Sequence, residues 1–353
     1  MTYQLTIEPL GETVGIEDGQ TILDACLRNG IYLPYQCNHG LCSTCKLSVV
    51  DGEVEHGAAS PFALMDYERE EGRALACCAT ALSDLTIEAD VEVDPDALHL
   101  EVRDVVATVR KVETLTPDIL GIWLEIGGEG MPFQAGQYVN VEIPGCTEPR
   151  SFSIASSPST PNLLELHVRK VPGGLGTEWL HSNVVEGLDL RVTGPLGRFF
   201  VRTSSADPMI FLAGGSGLSS PRSMVLDLLE KGWIGPITLI HGVRTVNDLY
   251  YSDDFVALSN KHKNFQYEPV LSEHSSGSEW SGSVGFVHQI AEQLFEGMFK
   301  GHKAYLCGPP PMIDACIRSL MKGRLFEKDI FTETFLTKSD GESLAKSPLF
   351  KKI

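Results

Sequence analysis

Gln36-Cys-Asn-His-Gly-Leu-Cys-Ser-Thr-Cys-Lys46 is the stretch on which the reading of the first third of the chain turns. It sets Cys37, Cys42 and Cys45 at C-x4-C-x2-C spacing, and after 31 further residues a thiol returns in ALACCATALSD, as Cys77 or Cys78. Three thiolates on one tight loop, with a fourth from a distant strand, can enclose a compact inorganic core, and this spacing is that of a [2Fe–2S] cluster. Gly40 suits a turn that brings backbone N–H groups close to sulfide, where such bonds tune the potential. Ser43 and Thr44 are small enough to leave the core room. Structural zinc is the competing reading, but it favours two C-x2-C knuckles and only one exists here. His39 reads as a solvated loop residue.

Around this stretch the chain is strongly acidic. The 353 residues carry 47 Asp+Glu against 28 Lys+Arg, a net charge of −19. Residues 1–95 alone hold 17 acids and 4 bases, so about a quarter of the chain carries two-thirds of the charge. That composition step predicts a first domain at 1–95, ending in the acidic, Pro-containing linker Asp90–Leu98. Phosphate backbones and anionic membranes repel such a chain, so nucleic acid and membrane are not expected partners. The N-terminus MTYQLTIEPLGETV has no basic flank and no apolar h-region, and no run of ~18 apolar residues occurs, which predicts a cytoplasmic protein. Nine cysteines, an odd number without an export signal, favour metal ligation over disulfides. Tyr3–Ile7 and Thr13–Ile16 alternate like a hairpin, and Thr21–Asn29 reads as a helix with Thr21 as N-cap and Gly30 at C′.

From Val105 to Val201 six short β segments (VVATVRKV, ILGIWLEI, GQYVNVEIP, RSFSIASSP, LLELHVRKV, LDLRVTGPL) predict a closed antiparallel barrel. Within it, Val171–Thr177 (VPGGLGT) is a glycine loop opening a helix, and such a loop offers free N–H groups to a pyrophosphate. After Asp207 buried strand runs alternate with helical patterns: MIFLA, MVLDLLEKG, ITLIHGV, DLYYSDDFVAL (helix), FQYEPVL, VGFVHQIAEQLF, KAYLCG and PPMIDACIRSLM. That alternation predicts a doubly wound parallel sheet. Gly214-Gly215-Ser216-Gly217 falls between its first strand and first helix, where phosphates bind.

These motifs carry a resemblance. ALACCATALSDLTIE resembles the end of plant-type ferredoxins, where Leu-x-Cys holds the last ligand. This implies Cys37, Cys42, Cys45 and Cys77 as the metal ligands and Cys78 as a bystander. Arg150-Ser151-Phe152-Ser153 resembles the Arg-x-Tyr-Ser signature of the ferredoxin–NADP reductase superfamily. The resemblance implies that Arg150 binds flavin phosphate, Phe152 packs on the ring system and Ser153 faces flavin N5. Gly174 and Thr177, with Gly176 between them, match that superfamily's Gly-x-x-Ser/Thr element for FAD. The glycine loop 214–217 and Cys307-Gly308-Pro309-Pro310-Pro311-Met312 resemble its nicotinamide lobe, implying NADH contacts at Gly214, Gly215, Ser216, Gly217, Cys307, Gly308 and Pro309. Glu333 and Phe335, in FTETF, fall by the same resemblance near the flavin, with Ser153, Cys307 and Glu333 as the catalytic group. NADPH-using relatives end the third strand of this lobe in Ser-Arg. The matching stretch here ends in Glu273, which would repel a 2′-phosphate and favours NADH, although Arg244 on the previous strand pulls the other way.

The resemblance therefore implies a multidomain α+β and α/β chain. A β-grasp ferredoxin (1–95) leads into a six-stranded antiparallel FAD-binding barrel (101–204) and a doubly wound NAD-binding lobe (207–353). Its logic is that a nicotinamide gives two electrons at once, a [2Fe–2S] centre takes one at a time, and a flavin mediates. No paired E-x-x-H helices for oxygen activation are evident, so the final acceptor is expected to be another protein, met through the acidic ferredoxin domain. Over its whole length, in SPFALMDYERE, PFQAGQYVN, AGGSGLSSPRSM, AYLCGPPPMIDA and SPLFKKI, the chain resembles the reductase components of bacterial multicomponent phenol hydroxylases. This implies NADH → FAD → [2Fe–2S] → di-iron hydroxylase electron transfer. Reductases of ring-hydroxylating dioxygenases or of toluene and methane monooxygenases are the alternatives within the class. A nucleotide-binding regulator with structural zinc is the alternative outside it.

Overall fold

In the computed structural model, residues 1–35, 38, 40–91, 94–274 and 280–335 are described; Cys37, His39 and the SPLFKKI tail fall outside them. The residues group into two compact units, 1–104 with 193–198, and 105–192 with 199 onward.

In the first unit, Thr2–Glu8 and Glu12–Glu17 form the expected antiparallel hairpin. The sheet runs Glu12–Glu17, Thr2–Glu8, Leu85–Glu88, Lys46–Asp51, Arg73–Leu75, with Leu5 opposite Leu85 in a parallel pairing and the remaining pairs antiparallel. Period-2 alternation buries Leu5 and Ile7 on the face that the helix Ile22–Arg28 covers with Ile22, Leu23, Ala25, Cys26 and Leu27. Thr21 caps that helix by accepting the Asp24 N–H at 3.2 Å, and Gly30 takes φ +70° just past its end. A mixed sheet crossed by one helix is the β-grasp arrangement.

The next sheet has six antiparallel strands in the order Arg150–Ser153, Tyr138–Val141, Asp189–Leu196, Arg103–Thr116, Ile119–Ile126, Leu163–Arg169. A bridge between Ile154 and Leu166 joins the two edges, so the sheet closes as the strand pattern predicts. Val109, Ile122, Leu124, Val139, Val141, Leu164 and Leu166 fill its interior.

The lobe that follows is a six-stranded parallel sheet ordered Ser283–Val284, Phe265–Leu271, Ile237–Val243, Met209–Gly214, Lys303–Gly308, Ile330–Thr334. Helices on both faces bury its central strands completely, which is why MIFLA and KAYLC read as continuous apolar runs. The strand order reverses between Met209–Gly214 and Lys303–Gly308, the switch point where doubly wound sheets bind ligands at their carboxyl ends. Two segments depart from expectation. Gly215–Leu218 is a 3-10 turn continuous with the helix Ser219–Glu230, so helical structure starts well before Met224. The helix expected over DLYYSDDFVAL breaks instead: Val246–Asp248 is a 3-10 turn, and the α-helix starts at Ser252 after Tyr251 at φ +58°. Tyr250 is buried and Tyr251 bonds the barrel residue Glu165, and these long-range contacts override local helical spacing. Among the described residues no helix is long and apolar enough to cross a membrane.

Candidate active site and cluster loop

In the first unit, the loop after Tyr35 is built on left-handed residues: Asn38 (φ +56°), Gly40 (φ +71°) and Ser43 (φ +63°). Cys45 enters the strand Lys46–Asp51, and Cys77 follows its partner strand Arg73–Leu75, so the pairing of Lys46 with Leu75 brings their thiols to 3.3 Å. Both are largely buried, whereas Cys42 is half-exposed. Cys78 Sγ lies 3.7 Å from Cys77 Sγ, and a Cβ on Gly40 would sit only 2.6 Å from it. Among the described residues, no three His, Cys, Asp or Glu side chains are drawn together as a metal site. Two soft thiol donors converging beside a tight loop nevertheless fit a [2Fe–2S] group, with Cys42 on the same loop.

At the barrel edge, Arg150–Ser153 pairs with Tyr138–Val141, setting Ser151 opposite Asn140 and Ser153 opposite Tyr138. Ser151 Oγ donates to Asn140 Oδ1 at 2.7 Å, a partner that no motif announces. Phe152 is half-buried against the barrel core. Arg150 Nη1 donates to the carbonyls of Glu148 and Pro149 at 2.9 and 3.1 Å, which fixes its stem beside the helix Leu175–Asn183. Gly176 lies against that stem: a Cβ there would sit 3.0 Å from Arg150 Cγ. Thr177 Oγ1 accepts the Val171 N–H at 3.0 Å and lies 3.3 Å from Gly174 O, so it ties the glycine loop shut rather than pointing free. A guanidinium laid across a helix N-terminus capped by Gly174 is a fit for a pyrophosphate such as that of FAD.

Across the lobe, Ala213 pairs with Cys307, which sets Gly214 and Gly308 side by side at the switch point. Gly217 packs so closely on the strand end that a Cβ would fall 2.3 Å from Cys307 O. Packing this close admits only glycine and draws the loop backbone against the strand end at the switch point, the place where a dinucleotide binds in such sheets. Pro309 caps the helix Pro310–Lys322, and Phe335 N–H donates to Gly308 O at 3.1 Å.

Cys307 and Glu333 are register partners on adjacent strands. Glu333 Oε2 collects three donors: Ser153 Oγ at 2.9 Å, Ser220 Oγ at 2.5 Å and Cys307 Sγ at 3.5 Å. The three residues expected to act together thus do converge, and Ser220 joins them unannounced. Its signal in the sequence is its place three residues after Gly217, on the first turn of the helix that follows the loop. Burial lifts the Glu333 carboxyl above its ordinary range, against the three hydrogen bonds that lower it. Burial likewise pushes the Cys307 thiol up, with the Glu333 charge adding to the effect. Glu273 stands exposed at the end of Phe265–Leu271, its N–H on Arg244 O at 2.8 Å. The Arg244 guanidinium is drawn to Asp248 at 3.1 Å and Asp118 at 3.5 Å.

Three family models cover these parts. A 2Fe-2S iron-sulfur cluster binding domain matches residues 5–82, an oxidoreductase FAD-binding domain 107–201, and an oxidoreductase NAD-binding domain 211–318. The chain is 53% identical over 354 aligned positions, all of both chains, to the phenol 2-monooxygenase reductase component DmpP of Pseudomonas sp. (strain CF600). The family is that of the phenol hydroxylase reductase components, and the chain belongs to it. Phenol hydroxylase P5 protein of Acinetobacter pittii (strain PHEA-2) is 51% identical to this reductase, again over all of both chains. Among solved structures, the Amycolatopsis cytochrome P450 reductase GcoB superposes with TM-score 0.87 at 34% identity, covering 95% of this chain and 99% of that one. A ferredoxin reductase in carbazole 1,9a-dioxygenase superposes with TM-score 0.78 at 28% identity, over 95% and 99%. The reductase is an electron-transfer oxidoreductase with FAD, NAD and [2Fe–2S] domains.

Proposed function

We propose that this reductase draws electrons from NADH and delivers them, through FAD and its [2Fe–2S] cluster, to the di-iron hydroxylase component of a phenol monooxygenase. FAD, when bound, accepts an electron pair as hydride and releases electrons singly, and the cluster carries them one at a time. The observation that carries this reading is the convergence of the barrel residue Ser153 and the lobe residues Ser220 and Cys307 on Glu333 Oε2.

The chain's own groups would divide the work as follows. Arg150 and the helix start at Gly174, Gly176 and Thr177 hold pyrophosphate charge, with Ser151 and Phe152 on the same strand lining the flavin site. Gly214, Gly215, Ser216 and Gly217, with Gly308 and Pro309, would bring backbone to the dinucleotide at the switch point. Ser153, Cys307 and Glu333, with Phe335 beside them, order the reacting end and exclude water. Glu333 Oε2, accepting from Ser153 Oγ, would hold that hydroxyl in place at the reacting end. Glu273 would repel a 2′-phosphate, and Arg244 pairs with Asp248 and Asp118, which supports NADH over NADPH. Cys37, Cys42, Cys45 and Cys77 hold the cluster. The working segments are 1–95, 101–204 and 207–353, in the cytoplasm. The acidic first segment would dock on a basic face of the hydroxylase, gaining on-rate at low salt.

An anaerobic NADH titration followed by visible and EPR spectra tests the internal relay: flavin bleaching and a reduced-cluster EPR signal are expected. Reconstitution with a phenol hydroxylase tests the partner, since only the true one couples NADH consumption to catechol. Colourless purified protein, or flavin reduction that never reaches the cluster, refutes the relay.

A further inference from the structure

A buried polar chain that no motif announces runs from the barrel to the glycine loop. Gly215 takes φ +55°, and two side chains reach its carbonyl oxygen: the Tyr250 hydroxyl and His241 Nε2, each at 3.3 Å. The same hydroxyl is 3.2 Å from His167 Nδ1, and His167 Nε2 is 2.9 Å from Glu165 Oε1. Arg222 Nη1 donates to Glu165 Oε2 at 2.8 Å and to Ala155 O at 2.6 Å. Tyr251 OH donates to Glu165 Oε1, and its ring lies 4.3 Å from the Arg222 guanidinium carbon. Glu165, His167 and Tyr250 are no more than 5% exposed, and His241 is completely buried.

The protons can be placed along this chain. Burial works to raise the Glu165 carboxyl, but the hydrogen bonds from His167 and Tyr251 and the Arg222 charge hold it low, so it accepts. Burial keeps His167 neutral, so its one N–H serves Glu165 and Nδ1 is a bare acceptor. Tyr250 then has a single proton and two acceptors, Nδ1 and Gly215 O. Burial pushes His241 down to about 4, so it is neutral too; its N–H meets Gly215 O, and its Nδ1 is buried without a partner. Polar groups this deeply buried are costly to leave unpaired, and the bonds they do make hold the Gly215 carbonyl between Tyr250 and His241.

We propose that Tyr250 and His241 are positioning residues for the pyridine nucleotide. They fix the Gly215 peptide, and the Glu165–His167–Arg222 chain fixes Tyr250, so the barrel sets the shape of the loop that receives the dinucleotide. The proposal rests on the reading of residues 214–217 as the dinucleotide loop.

The test uses FAD-loaded full-length protein and NAD+ as the probe, with Kd from calorimetry beside the melting temperature and FAD content. Tyr250→Phe keeps the ring and removes the hydroxyl. It is expected to raise the Kd for NAD+ about five- to tenfold, the scale of one lost hydrogen bond, with FAD content unchanged. Glu165→Gln, which touches no loop atom, is expected to weaken NAD+ binding as well. Combined with Tyr250→Phe it should add nothing further, because both act through one link. A Tyr250→Phe protein that binds NAD+ like the wild type, whatever its melting temperature, overturns the positioning role, as do fully additive effects. A wild-type holoprotein that fails to bind NAD+ refutes instead the functional reading beneath it.

Discussion

Ser153 Oγ donates to Glu333 Oε2 across 2.9 Å, although 180 residues of chain separate them. One belongs to the edge of the barrel and the other to the last strand of the lobe. Ser153→Ala is therefore expected to slow flavin reduction by NADH on the order of ten- to a hundredfold, the scale of a misplaced reacting end. Stopped-flow bleaching of the flavin measures this, and the cluster's visible spectrum should not change. Wild-type rates in the variant would remove Ser153 from the reaction.

Cys77 and Cys78 are adjacent, yet only Cys77 lies 3.3 Å from Cys45. Cys77→Ser should yield protein without the cluster spectrum but with flavin still reducible by NADH. Cys78→Ser should keep the cluster. The opposite pair of outcomes would move the ligand by one residue.

The nucleotide preference has an electrostatic handle at Glu273. Two unit charges ~4 Å apart in water interact by about 1 kcal/mol, and Glu273→Arg changes the local charge by two. An increase in kcat/KM for NADPH on the order of tenfold is expected, with a smaller change for NADH. Equal selectivity before and after would show that the 2′-phosphate is read elsewhere.

His241 makes stability depend on pH. Burial holds its pKa at about 4, against 6.5 when exposed, so between those values the unfolded chain binds a proton that the folded one refuses. Folding is thus favoured above pH ~6.5, and about 3 kcal/mol is lost as pH falls to ~4. His167, also lowered by burial, adds to the same slope. His241→Gln keeps a donor for Gly215 O but cannot titrate. Its urea-unfolding free energy should fall less steeply between pH 6.5 and 4 than the wild type's, and an unchanged slope would contradict this assignment.

Much of the architecture is legible along the chain because its determinants are local. The hairpin at Thr2–Glu17 follows from alternation, the cap at Thr21 from one hydroxyl, and the buried strands Met209–Gly214 and Lys303–Gly308 from unbroken apolar runs. Other features are invisible to any window of sequence. The residues Asp248–Tyr251 have helical spacing, but Tyr251 takes a left-handed conformation, and its hydroxyl donates to Glu165, 86 residues away. Ser220 reads as an ordinary helix-start serine until the last strand lays Glu333 against it.

Thiol spacing, the succession of β-grasp, barrel and parallel-sheet patterns, and the concentration of acid in the first 95 residues are properties of the one-dimensional string. Tertiary structure alone decided that Glu333 gathers donors from both the barrel and the lobe, and that a buried Glu–His–Tyr chain ends on the Gly215 carbonyl. The physical reason is that propensity and periodicity act within a few residues. A buried carboxylate or imidazole must instead be satisfied by whatever groups the packed chain brings within ~3 Å, however distant in sequence.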